Sequence, residues 1–183
     1  MATIQDIYKK EVISAMQKHF SYPNIMAVPR ITKVVVHVGT GRLGREKGSD
    51  EEIVKYLTAI TGQRPLPCAA RTSIASFKTR QGEVIGHKVT LRGRRMYDFL
   101  ERLVAAAIPR TRDFQGLDPK SVDQGGALTI GIREHIIFPE TIGEDTRLIF
   151  GLETTVNTNA KTQEEALELF RLLGFPLKKS NHK

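Results

Sequence analysis

In its 183 residues the chain has a single cysteine, Cys68, and that scarcity excludes an intramolecular disulfide and any cysteine-based zinc cluster. Its five histidines, His19, His37, His87, His135 and His182, show no HxxxH spacing and build no zinc site by themselves. Absent too are the GxxxxGKS/T phosphate loop, the GxSxG nucleophile elbow and the HExxH zinc helix. The carboxylates Glu134, Glu140, Glu144 and Asp145 are too scattered to nominate an acid/base pair, and the acids over 140–145 read as a solvated loop tip. An enzyme is disfavoured. No apolar run reaches the length of a membrane span, and the first twenty residues lack a signal-peptide core, so the expectation is a soluble intracellular protein.

Acidic residues are also scarce where cations are dense. Residues 71–95 carry Arg71, Lys78, Arg80, Lys88, Arg92, Arg94 and Arg95 against Glu83 alone, with Phe77 and His87 interleaved. Each cation that neutralises a phosphate releases condensed counterions, and an aromatic ring can stack on an exposed base. A solvated, charged hairpin explains the same residues equally well. The formal net charge of the whole chain is +8, and its surplus is greatest over residues 71–120, while residues 121–183 are slightly acidic. Such asymmetry suits an anionic partner on one face and leaves another face for a different partner.

Hydrophobic periodicity orders the chain. Ile4, Ile7, Tyr8, Val12, Ala15, Met16 and Phe20 recur at helical spacing behind an N-cap at Thr3, and Ile31–Val38 reads as a buried strand with Lys33 and His37 on one face. Ser49 and Glu52 form a capping box for a second helix that stops at Gly62. Pro65 and Pro67 limit residues 66–70 to an edge strand. Residues 71–81 read as a long loop. Residues 83–92 form a strand with Lys88, Thr90 and Arg92 opposite Val89 and Leu91, and His87 also reads as a sheet-face residue. Met96, Phe99, Leu100, Leu103, Ala107 and Ile108 mark a third helix, ended by Pro109. Leu128, Ile130 and Ile132 alternate as a strand that Ile136–Phe138 can extend, and Leu148–Val156 gives another. A last helix opens with Thr162 and Glu165 and closes at Gly174, before a tail over 175–183 that reads as frayed. The order αβα(β)βαββα is not the strict alternation of a parallel sheet. It predicts one α+β domain over 1–183: a mostly antiparallel sheet, helices packed on one face, the other open for binding.

One motif points elsewhere. Gly39-Thr40-Gly41-Arg42-Leu43-Gly44 is a GxGxxG after a strong strand, the pattern that cradles a dinucleotide pyrophosphate. Its context fails, because residues 46–49 separate the glycines from the next helix and no acid follows a second strand at the right distance. A nicotinamide-dependent enzyme therefore stays a minor alternative, and a glycine turn beside a nucleic-acid face is preferred.

Several longer stretches, read together, closely resemble the bacterial-type large-subunit ribosomal protein of family number five, which binds 5S rRNA. They are Gly62-Gln63-Arg64-Pro65, residues 77–82 (FKTRQG), 85–93 (IGHKVTLRG), 109–114 (PRTRDF) and 131–140 (GIREHIIFPE), colinear within a match from about Ile4 to Lys179. The resemblance implies an antiparallel sheet on helices with long RNA-contacting loops, one sheet face docked on 5S rRNA, no catalysis and no cofactor. It implies 5S-facing roles for His37, Gln63 and Thr90, with His37 standing where the family has Asn. Phosphate contacts are expected from Lys33, Arg64, Lys88, Arg92, Arg94 and Arg95, of which Arg94 and Arg95 also open the third helix. By the same resemblance the loop with Arg71, Ser73, Phe77, Lys78, Arg80 and Gln81 approaches P-site tRNA. The segment with Ile136, Phe138, Glu140, Glu144, Asp145 and Arg147 lies where the subunits bridge. Implied partners are 5S and 23S rRNA, P-site tRNA, a neighbouring 5S-binding protein and a small-subunit head protein. At Asp123-Gln124-Gly125-Gly126-Ala127 the family's Asp-Gly-Arg-Gly-Asn is missing its arginine. A free RNA-binding or chaperone module outside the ribosome remains the alternative.

Overall fold

The computed structural model describes residues 3–41, 48–112, 114–141 and 148–178. Helix α1 covers residues 4–20. Its start is a capping box in which the Thr3 hydroxyl accepts from the Asp6 amide at 3.1 Å and the Asp6 carboxylate accepts from the Thr3 amide at 3.3 Å. A π-type turn at Tyr8–Val12 interrupts the helix, which periodicity did not signal, and Ile4, Val12 and Met16 still face the core. Strand β1 (Ile31–Gly39) follows, then helix α2 (Ser49–Thr61). The cap of α2 differs from the sequence expectation. Its N-cap is Gly48 at φ 94°, one residue before the Ser49 of the supposed box, and Asp50, Glu51 and Glu52 occupy its first turn, where the helix dipole favours acids. At its other end Gly62 adopts φ 67° and donates to the Thr58 carbonyl at 2.8 Å, as expected.

Strand β2 (Leu66–Ala69) is an edge strand, which accommodates Pro67 and its missing N–H. Strand β3 (Val84–Leu91) leads into helix α3, residues 93–107, which is regular over Gly93–Arg102 and closes in a π-type turn at Leu103–Ala107. Strands β4 (Leu128–Ile132) and β5 (Leu152–Thr158) precede helix α4 (Gln163–Leu172), where the Thr162 hydroxyl accepts from the Glu165 amide. The sheet order is β2-β3-β1-β5-β4, antiparallel throughout. This is the α+β arrangement predicted.

One face of the sheet is apolar. Val34, Val36 and Val38 of β1, Val89 and Leu91 of β3, Ile130 of β4 and Val156 of β5 are buried against Ile53 and Leu57 of α2, Met96 and Leu100 of α3 and Leu169 of α4 within one hydrophobic cluster. His87 belongs to this inner side, a correction to its reading as a sheet-face group available to nucleic acid. It is 5% exposed, with Nε2 3.5 Å from a carboxylate oxygen of Asp50 on α2.

Residues 135–138 do not extend β4. His135–Ile137 is a 3-10 turn because His135, Ile137 and Phe138 are all drawn into the core, a pattern no alternating strand satisfies. The His135 ring stacks on Phe150 with centroids 4.1 Å apart, and burial holds its imidazole below the usual histidine range, neutral against the rings around it. Residues 175–178 are not frayed either. Phe175 is buried against Phe170, and Lys178 donates to the Leu117 carbonyl at 2.9 Å, so this stretch closes over residues 114–117. The remaining tail, 179–183, lies outside the described residues. In the departing turn Asp123–Ala127, the Asp123 carboxylate accepts from the Ala127 amide at 2.7 Å, and a side chain on Gly126 (φ 78°) would meet Thr158 Oγ1 at 2.9 Å. Glycine is required there by backbone and space together.

Candidate nucleic-acid interface

A strand alternates its side chains, so burying Val34, Val36 and Val38 forces Lys33, Val35 and His37 outward together. The register then aligns their neighbours. His37 lies opposite Lys88 on β3 and opposite Glu153 on β5, and Glu153 in turn lies opposite Gly131 on β4. A second row is Thr90, Val35, Thr155 and Thr129, and Lys33 pairs with Asn157. This outer face is short and polar, with Lys33 and Lys88 as its cations and Glu153 as its acid among the described strand residues. Hydroxyl and amide groups at this density suit sugar 2′-hydroxyls and base edges, while the lysines suit phosphates.

Gln63 joins this face from the turn after α2. Its backbone N–H lies 3.4 Å from the Thr61 hydroxyl, and its side-chain amide donates to the Thr90 carbonyl at 3.4 Å, so the positions matched by sequence to 5S contacts at 63 and 90 are neighbours. His37 stands beside them on the same face, one strand over, with Nε2 3.1 Å from where a side chain on Gly86 would begin. Glycine at 86 is what lets the imidazole lie down there. Arg64 and Arg92 are exposed near the ends of this surface. Arg94 and Arg95 are exposed on the first turn of α3, in the helical layer, and Arg94 Nε lies 3.9 Å from Asp98. They flank the face without belonging to it.

The loop between β2 and β3 is an ordered arm. Ile74 and Thr79 exchange backbone hydrogen bonds at 3.0 and 3.2 Å across a 3-10 turn at Ala75–Phe77, with Lys78 left-handed at φ 53°. The Ser73 hydroxyl accepts from the Gln81 amide, and Glu83, the acid of the basic block, accepts from the Arg80 amide, each at 2.9 Å. Backbone satisfaction by these groups leaves Arg71, Lys78 and Arg80 outward and Phe77 72% exposed. A groove of about 930 Å³ runs between this arm and the Gly39–Gly41 turn, lined by Arg71, Ile74, Phe77, Lys78 and Ile85.

The third group of sequence-matched residues is not one surface. Ile136 is 37% exposed, but Phe138 is fully buried and stacks on Phe99, so it is a core residue and no partner reaches it. Glu140 is not a solvated loop acid, for its carboxylate takes Arg102 Nε at 2.7 Å and is largely covered. Glu144, Asp145 and Arg147 lie outside the described residues. So do residues 42–47 of the GxGxxG region. The described part shows the Thr40 amide donating to the Ile85 carbonyl and continuing the sheet, with α2 opening only at Ser49.

Sequence reading missed Thr129, Glu153, Thr155 and Asn157 as members of the face. Their alternation with Leu128, Ile130, Leu152 and Val156 was visible, but only strand order brings them beside His37 and Val35. Among the described residues no cluster of metal-ligating side chains occurs, and no helix is long and apolar enough to cross a membrane.

Known proteins match nearly the whole of this chain. A family model described as ribosomal protein L5 matches residues 24–80, and the model for the C-terminus of the same ribosomal family matches residues 84–177. The large ribosomal subunit protein uL5 of Halothermothrix orenii is 48% identical over 176 residues, covering 96% of this chain and 98% of its own. That of Colwellia psychrerythraea is 48% identical over 179 residues, covering 98% and 99%.

Proposed function

The chain belongs to the ribosomal protein L5 family, and on that premise we propose that its open sheet face binds 5S rRNA and holds it on the large ribosomal subunit. As a member of that family it is a structural, rRNA-binding protein of the large subunit and not an enzyme. The observation that carries the 5S reading is the register that sets Lys33, His37, Lys88 and Thr90 on one face, with Gln63 hydrogen-bonded to Thr90. Lysines would neutralise phosphates, aided by Arg64 and Arg92 at the ends and Arg94 and Arg95 on the flank. Gln63, Thr90 and His37 would read sugar hydroxyls and base edges. Strands from both halves of the chain share this sheet, which supports treating 1–183 as one domain.

Titrating the purified protein with 5S rRNA and with an unrelated RNA of equal length tests the reading. The expected result is tighter binding of 5S rRNA, with a log-log salt slope of roughly −3 to −5 for about five phosphates. Equal affinity for both RNAs would sink it.

The ordered arm is proposed as a separate RNA contact, directed at P-site tRNA, with Phe77 as a stacking ring and Lys78 and Arg80 as phosphate partners. Exchange of Lys78 and Arg80 for alanine should leave binding of isolated 5S rRNA nearly unchanged and weaken retention of tRNA on assembled ribosomes. Loss of 5S binding in that double variant would show that the arm is part of the 5S site. Contacts with 23S rRNA, with a neighbouring 5S-binding protein and, through exposed Ile136, with a small-subunit head protein complete the proposed set. Sedimentation with the large subunit separates this reading from a free RNA chaperone.

A further inference from the structure

Glu153 is out of place on a surface that meets phosphates. It is exposed, it lies opposite His37 in the sheet, and its carboxylate makes no hydrogen bond or ion pair among the described residues. Three other carboxylates are engaged by contrast: Glu83 on the Arg80 amide, Glu140 on Arg102, Glu168 on Arg171. A free carboxylate on an RNA-facing sheet repels the backbone, so tight binding requires that the RNA present donors to it, from a ribose 2′-hydroxyl or a base edge, and only a base edge offers two side by side. It also lines a groove of about 410 Å³ at this end of the face, together with His37 and Arg133, neither of whose side chains has a protein partner among the described residues. Neighbouring Gly131 leaves the groove unfilled, for a Cβ built there would meet nothing within 4 Å. One groove thus holds an acceptor, a ring and a guanidinium, none with a partner among the described residues.

We propose that this groove takes an unpaired guanine base of the bound RNA, a deepening that rests on the RNA-binding reading of the open face. Of the four bases, guanine presents two adjacent donors, N1–H and the N2 amino group, which both oxygens of Glu153 accept together. Its O6 and N7 are the acceptors an arginine reads in bidentate fashion, and Arg133 supplies those donors. The exposed ring of His37 offers a stacking surface. Adenine and uracil lack the paired donors, and cytosine offers its N4 amino group alone.

The sign of one substitution decides the matter. If Glu153 is an idle acid among phosphates, Glu153→Gln removes a repulsive charge and 5S affinity rises or stays level. If it grips guanine, affinity falls, by about tenfold at fixed salt. Gly131→Val, which fills the groove from a position where a Cβ meets no other atom, should cause a similar loss with an unchanged melting temperature. A third arm replaces the guanosines of the 5S transcript by inosine, which lacks the N2 amino group, with circular dichroism confirming that the RNA keeps its fold. Wild type should bind the inosine RNA more weakly, and Glu153→Gln should bind both RNAs alike. Affinity in Glu153→Gln equal to or above wild type overturns the guanine proposal while leaving 5S binding intact. Equal binding of 5S and control RNA by wild type overturns the 5S reading beneath it.

Discussion

Exchange of Lys33, Lys88 and Arg92 for alanine in one variant is expected to lower 5S rRNA affinity by about two orders of magnitude near 0.1 M salt, and to make the log-log salt slope shallower by about three. Lys33 and Lys88 stand on the outer face on adjacent strands, and Arg92 follows directly from the end of β3. None of the three is fully buried or held in a salt bridge among the described residues, so removal should cost little stability. Nitrocellulose filter binding or fluorescence anisotropy over a salt series measures both quantities. The slope is the more telling of the two, because a variant that has merely lost structure drops in affinity without a change of one unit per cation. A triple variant with wild-type slope would place the phosphate contacts elsewhere, with Arg94 and Arg95 on α3 the first to examine.

Phe138→Ala is expected to cost about 3–5 kcal/mol of folding stability, a large share of the roughly 5–15 kcal/mol typical of a domain. Phe138 is fully buried and packs on Phe99 with ring centroids 6.1 Å apart, so its removal leaves a cavity beneath residues 135–141. At about 2–4 °C per kcal/mol for a chain of this size, melting should fall by roughly 6–20 °C. Calorimetry or thermal circular dichroism checks it, with Phe138→Leu retaining most of the volume and most of the stability. A change in ribosomal subunit joining in Phe138→Ala would therefore report lost packing, whereas Ile136→Ala, at an exposed position, separates a surface contact from a core defect. A near-normal melting temperature for Phe138→Ala would mean that residues 135–141 are not docked as described.

The cost falls where alternation misled the sequence reading. Ile136–Phe138 carries β-favouring residues after a clear strand, and local preference extends that strand. Burial of Ile137 and Phe138 side by side, with His135 stacked on Phe150, requires a turn instead, and packing overrides a weak local propensity. The cap of α2 is a similar case. Ser49 and Glu52 have the spacing of a box, yet the chain enters the helix through Gly48 in a left-handed conformation, one position earlier. The frayed-tail expectation does not hold for residues 175–178, because Phe175 finds a place against Phe170 that composition does not announce.

By itself the sequence determined the element order, the antiparallel α+β class, the edge character of β2 and the outward set Lys33, His37, Lys88 and Thr90. Those features follow from local rules: period 3.6 or 2, glycine after a helix, proline at an edge, and alternation that sends neighbouring side chains to opposite faces. It also carried the family through motifs that stay contiguous along the chain. Only the tertiary structure decided which strands lie side by side, and with them the pairing of His37 with Lys88 on one flank and Glu153 on the other. Residues 37 and 153 meet through hydrogen bonds between distant strands, and a sequence read one strand at a time holds no record of that register.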